Sequence, residues 1–263
     1  MKRLSPSLVC LLPILLGGLA ANVALAQTPP ADSPKLYPRK DWPQPVEDEV
    51  RRTAILADVF EYRASKEGGD FRWDAEGWHG NDYNRLWFKS EGERNTALKA
   101  DYDIDAQLLY GRFVKRYYDF QAGARLETQT YQGRNVSRVH GVIGIEGLVP
   151  YNYEMEALLF VSQNGHVSGR VTFAKDLLLT QRLILQARFE STLAVQRVER
   201  FTTGAGLNNL EAGFRLRYER RREFAPYVGV SFDRSFFGTA DMVRQQGGDP
   251  AQIRFVAGIR FWH

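Results

Sequence analysis

The chain has one cysteine in 263 residues, Cys10. No disulfide can form within it, so neither a disulfide framework nor a thiolate metal cluster is available. It has only four histidines (His79, His140, His166 and His263) and three methionines, and no two histidines lie within four residues of each other. There is no H-x-x-H, no H-E-x-x-H, no G-x-G-x-x-G and no Walker loop. A long apolar run occurs only near the start, Leu8–Leu19. That excludes a helical multi-span membrane protein, whose spans each need about 20 nearly uncharged residues. Charge of one sign is lacking too. The 35 Lys and Arg nearly cancel the 31 Asp and Glu, and nucleic acid is not an expected partner.

The first 26 residues read as an address. Lys2 and Arg3 precede the apolar stretch, and Ala24-Leu25-Ala26 closes it. A basic start, a short apolar centre and an A-x-A site make a signal peptide, cut after Ala26. Pro13, Gly17, Gly18 and Asn22 interrupt the run and argue against a membrane anchor. The mature chain is then exported and free of cysteine. Residues 27–50 hold six of the 11 prolines, which marks a periplasmic linker. The third segment is 51–263.

From Ala54 onward the period is two. Tyr102, Ile104, Ala106, Leu108 and Tyr110 alternate with Asp101, Asp103, Asp105, Gln107 and Leu109. A helix would spread the three aspartates around its surface, whereas a strand puts them on one face. Aspartate is a poor strand former, so a water-filled interior opposite a lipid face is the environment that rewards it. About twelve such segments fit into 54–262: 54–62, 70–78, 84–93, 97–111, 117–129, 136–148, 151–162, 166–175, 181–194, 207–219, 225–234 and 252–262. Spanning strands of 9–11 residues fit that spacing, and an even count suits a single-chain outer-membrane barrel. The expected fold is all-β, a transmembrane antiparallel β-barrel of about 12 strands. Its location is the outer membrane and its first partner the outer-membrane lipid. A soluble sandwich or lipocalin-like barrel shares the period. Aromatics at strand ends (Tyr62, Trp78, Tyr110, Tyr153, Tyr218, Phe261) favour the membrane, as interfacial girdles. Connectors after even strands are short, and those over 195–206 and 235–251 are long.

The faces opposite the lipid carry the candidate site. The expected lumen-facing polar residues are Asp101, Asp103 and Asp105 on one strand, and Arg125 and Glu127 on the next. Glu154, Glu156, Arg188, Glu190, Glu211, Arg215 and Arg217 follow on later strands. Acids and bases share these faces, which predicts a salt-bridged lumen. For a soft metal, the weak candidates are His140 and Met155. Catalysis is not expected: His140 is followed at the second position by Val142, and Ser137 has the opposite parity, so the strand itself supplies no dyad.

Several segments carry a family resemblance. Arg85–Glu93 (RLWFKSEGE), Gly147–Ala157 (GLVPYNYEMEA), Asp176–Gln186 (DLLLTQRLILQ), Leu210–Glu219 (LEAGFRLRYE), Arg222–Val230 (REFAPYVGV) and Val256–Trp262 (VAGIRFW) occur in this order. Together they resemble the copper resistance protein B family of Gram-negative outer membranes. The resemblance implies a copper-inducible outer-membrane barrel that sequesters or exports copper ions with periplasmic copper-resistance proteins as partners. The Met/His-rich N-terminal stretch of many family members is missing, since residues 27–50 contain neither residue. Copper ligands therefore do not carry over. The alternative reading is a general small porin-like or structural barrel without a metal role.

Overall fold

The computed structural model describes residues 50–263 except 67, 97–101, 132 and 222. The signal peptide, nearly all of the linker and Asp101 lie outside the described residues.

Twelve antiparallel strands form one closed barrel, in chain order around the wall. They are β1 (Arg52–Ser65), β2 (Gly68–Gly80), β3 (Asn84–Asn95), β4 (Tyr102–Lys115), β5 (Tyr118–Tyr131), β6 (Arg134–Val149), β7 (Tyr153–Ser162), β8 (Val167–Leu178), β9 (Leu183–Ala194), β10 (Gly206–Tyr218), β11 (Phe224–Ser235) and β12 (Ala251–Trp262). The seam joins β12 to β1, with Leu56 opposite Trp262 and Ala64 opposite Phe255. Closure pairs every strand on both sides and leaves no edge.

The alternation selects the faces. Along β6, Val139, Ile143 and Ile145 are exposed while Arg138, His140 and Val142 are buried. Leu108 and Tyr110 point out of β4, while Gln107 and Leu109 point in. A soluble barrel would show the reverse, apolar inside and charged outside, so this is the transmembrane arrangement. The pattern is interrupted once in β1, where the register shifts between Ala57 and Val59. The extra residue of the bulge turns both Asp58 and Val59 inward. Asp58 pairs with Arg260 inside the barrel, and Val59 is fully buried.

One aromatic assigned to the girdles belongs elsewhere. Trp78 has the inward parity of Asp74 and Glu76. It packs on Trp87, directly across in β3, with ring centroids 6.2 Å apart. Trp87, Leu109, Val142, Leu158 and Phe160 form an apolar cluster inside the lumen. Gly111 makes room for it, since a Cβ there would meet Trp87 Nε1 at 2.6 Å.

The two ends differ. At the terminal mouth, where β1 begins and β12 ends, the connectors hold two to five residues. At the loop mouth, residues 195–205 contain a short 3-10 helix (Glu199–Phe201), and 236–250 contain the helix α1 (Phe237–Gln245). Thr239 fastens α1 to the wall. Its Oγ1 accepts from Gly204 N at 2.8 Å and donates to Asn208 Oδ1 at 2.9 Å.

Candidate functional site

The lumen is the site, and its inner faces hold most of the chain's buried charge. Period two fixes which residues look inward. Barrel closure then brings together residues far apart in sequence. Three levels follow along the axis.

At the middle level, pairs cross the lumen. Arg170 of β8 holds Glu91 of β3 with two bonds of 2.7 Å. Arg188 of β9 donates to Asp74 of β2 at 2.8 Å, and Arg72 of β2 meets Glu211 of β10. Arg188 also reaches Glu190 at 3.2 Å. Beside them, Arg215 and Glu61 form a two-bond pair, both contacts 2.9 Å, and the Tyr227 hydroxyl donates to the same carboxylate at 3.0 Å. Glu61 is 0% and Arg215 1% exposed. Taking two charges out of water is costly, and only close, multiply bonded geometry offsets it. This level is a partition: cavities lie on either side of it, and Glu91 lines both.

Toward the loop mouth lies a cavity of about 440 Å3 with charges of both signs. Arg125 binds Asp105 at 2.6 Å and stacks over Phe160 at 4.3 Å. Arg138 holds Glu127 at 2.7 and 2.9 Å. Arg63 pairs with Asp70 and Glu93, and Arg254 with Asp233. Asp103 stands exposed at the rim.

Toward the terminal mouth the balance tips. Arg217 reaches Asp176 at 2.6 Å and Arg260 reaches Asp58 at 2.7 Å. Lys89 gathers Glu146 and Glu156 at 2.7 and 2.5 Å. Glu154 lies further out, exposed, with inward parity.

The family model described as copper resistance protein B precursor matches residues 51–263.

The chain belongs to the copper resistance protein B family.

It is 38% identical over 217 residues to Copper resistance protein B of Escherichia coli, covering 82% of this chain and 71% of that protein. It is 35% identical over 217 residues to the Copper resistance protein B homolog of Pseudomonas syringae pv. tomato, covering 82% of this chain and 72% of that protein. Among solved structures it is similar in fold to a NanC porin, with a TM-score of 0.50 at 12% identity, covering 80% of this chain and 99% of that one.

In this member of the family the two soft-ligand candidates are not brought together. His140 is buried and faces the lumen beside Glu127, with Nε2 to Oε2 at 3.6 Å, and its Nδ1 has no partner. Met155 shares the outward parity of Leu159 and Val161 and sits opposite Gly147, seven residues further along β6 than His140. The pair is separated by face and by height along the strands. Among the described residues no three His, Cys, Asp or Glu side chains converge as a metal-ligating group. Directly across from His140 is Ser162 of β7, also buried. A search along β6 alone could not reveal this neighbour.

The residues missed in the sequence are informative. Lys89, Glu91 and Glu93 share one parity within RLWFKSEGE. Glu61, Arg63, Arg72, Asp74 and Arg170 are visible by the same rule. Parity names the face. It does not say which strand across the barrel supplies the partner, and Arg215 with Glu61 spans 154 positions.

Proposed function

We propose that this chain is an outer-membrane barrel that contributes to copper resistance by receiving copper ions in its lumen, for sequestration or for export across the membrane. Membership of the copper resistance protein B family carries the reading. The lumen supports it physically. The terminal mouth presents more carboxylates than cations, and a one-signed mouth with low-dielectric walls concentrates counter-ions. The partition of cross-lumen pairs stands between the mouths, so passage involves rearranging charge rather than flow through an open channel. No catalytic step is part of this reading. On this reading the terminal mouth faces the periplasm, where periplasmic copper-resistance proteins are the partners expected to meet it.

The test is a deletion strain compared with the same strain carrying the gene, challenged separately with copper and zinc. Loss of tolerance to copper but not to zinc is the expected outcome. Equal loss for both metals, or for neither, would point to a general porin-like or structural barrel. Fractionation of the tagged protein with the outer membrane, and heat-modifiable gel mobility, check the location.

A further inference from the structure

The outer wall of the barrel is sorted by sign. Every Asp and Glu of the twelve strands has inward parity. The bulge in β1 keeps to this rule, because it turns Asp58 inward. Four cations are placed the other way. Arg94 on β3, Arg112 on β4, Lys175 on β8 and Arg234 on β11 share the outward parity of Phe88, Leu108, Phe173 and Phe232. None of the four pairs with a carboxylate among the described residues. A cation on this face is costly at the bilayer midplane and nearly free at the margins.

The heights of these cations are a second observation. Arg94 lies directly across from Tyr102 near one end of β4, and Arg112 directly across from Asn84 near the other. From Tyr102 to Arg112 the strand runs ten residues, about 34 Å along the strand at about 3.4 Å per residue. With a strand tilt of about 40° that is about 26 Å along the barrel axis, and the apolar band of such a barrel is about 25 Å tall. The two arginines therefore mark its two margins, and Ile104, Ala106, Leu108 and Tyr110 fill the span between them.

At the terminal-mouth margin the cations have aromatic and polar neighbours. Lys175 Nζ lies over the Tyr153 ring at 4.2 Å and donates to the Tyr151 carbonyl at 2.7 Å. An ammonium has three donors, so two are left for another acceptor. Arg112 stands between Asn84 on β3 and Phe120 on β5, and the Tyr110 hydroxyl donates to Asn84 Oδ1 at 2.5 Å. Aromatic rings beside cations with long apolar stems suit the headgroup layer. In that layer the acceptor that takes the place of a carboxylate is phosphate, which a guanidinium holds with two bonds and an ammonium as a point charge.

We propose that Arg112 and Lys175 bind the headgroups of acidic phospholipids, so that the barrel gathers acidic lipid around its terminal mouth. A wall that had only to avoid hydrocarbon would exclude charges of both signs. This wall excludes one sign and keeps the other at its margins. A zwitterionic headgroup brings its own cation to its phosphate and competes with the protein for it; an acidic headgroup does not. The assignment depends on neither the copper reading nor the side of the membrane that the terminal mouth faces.

The experiment exchanges phosphatidylglycerol or phosphatidylcholine onto the whole mature barrel in a non-ionic detergent and counts the retained lipid by native mass spectrometry. Wild type should retain phosphatidylglycerol more tightly than phosphatidylcholine. Arg112→Gln and Lys175→Gln should each weaken phosphatidylglycerol retention about fivefold, the factor expected of one basic residue at an anionic lipid surface. Arg112→Lys with Lys175→Arg should keep the preference. Arg244→Gln removes an exposed positive charge from α1, away from the wall, and should change nothing. Inorganic phosphate at the same concentration should not compete. Heat-modifiable mobility, read alongside, checks that each variant is folded. Equal retention of the two lipids by wild type, or unchanged retention in both glutamine variants, overturns the assignment. So does an equal loss in Arg244→Gln, and displacement by inorganic phosphate overturns the choice of a lipid headgroup.

Discussion

The two mouths of the barrel are built from the same strands and behave as different surfaces. At the loop mouth several carboxylates have their own guanidinium: Asp105 has Arg125, Glu127 has Arg138 and Asp233 has Arg254, while Arg63 serves both Asp70 and Glu93. Long connectors and α1 crowd this end. At the terminal mouth short turns leave the opening clear, and one lysine serves three glutamates. The lesson is that net charge hides function here. The chain is close to neutral, yet its charges are sorted along the axis, more nearly matched at one end and in larger acidic excess at the other. The partition between them keeps the two environments distinct.

The comparison breaks most severely if the partition is breached. Arg215→Met leaves Glu61 buried without its partner, and losing one member of such a pair costs about 3–5 kcal/mol. Denaturant unfolding of the detergent-solubilised barrel should show that loss, and Glu61→Gln added to Arg215→Met should recover much of it. An unchanged midpoint for the single variant would show that the pair is dispensable. A smaller effect belongs to the loop mouth alone. Thr239→Ala removes the hydroxyl joining α1 to Gly204 and Asn208, a loss of about 1–3 kcal/mol for groups left buried and unpaired. Faster proteolysis within 236–250, with the barrel intact, is the expected signature. Resistance equal to wild type would mean that other contacts hold the helix. The smallest perturbation assigns the mouths to the two sides of the membrane. The described residues contain no cysteine, so single substitutions there report cleanly. In whole cells a membrane-impermeant thiol reagent should label Asp103→Cys at the loop mouth and spare Glu154→Cys at the terminal mouth and Ile104→Cys on the lipid face. Labelling of Glu154→Cys in preference to Asp103→Cys would invert the orientation.

Much of this was legible before any coordinates. Twelve strands were expected, and β3, β6 and β11 begin and end within two residues of the expected spans, because a half-buried strand writes its period directly into the chain. The inward polar residues followed from the same rule. Three features were not legible. The bulge at Asp58 breaks parity without any glycine or proline to announce it. The inner apolar cluster of Leu109, Leu158 and Phe160 looks in sequence like an imperfection of the polar face; it is packing that fills one side of the lumen. The third is partnership across the lumen, as for Lys89 with Glu146 and Glu156, where strands three and four places apart meet only once the wall has curved round. Periodicity carries orientation, and closure carries proximity.

The seam between β12 and β1 sets a rule in time as well as in space. Residues 52–65 wait for residues 251–262 before either has its final neighbour. Until then the polypeptide is a curled sheet with two raw edges, each able to pair with any passing strand. Closure over so many intervening residues is slow, because chain ends far apart must first find each other. A protein ordered this way is at its most vulnerable on its journey and at its most secure on arrival. The last pairing to form is the one that removes both edges at once.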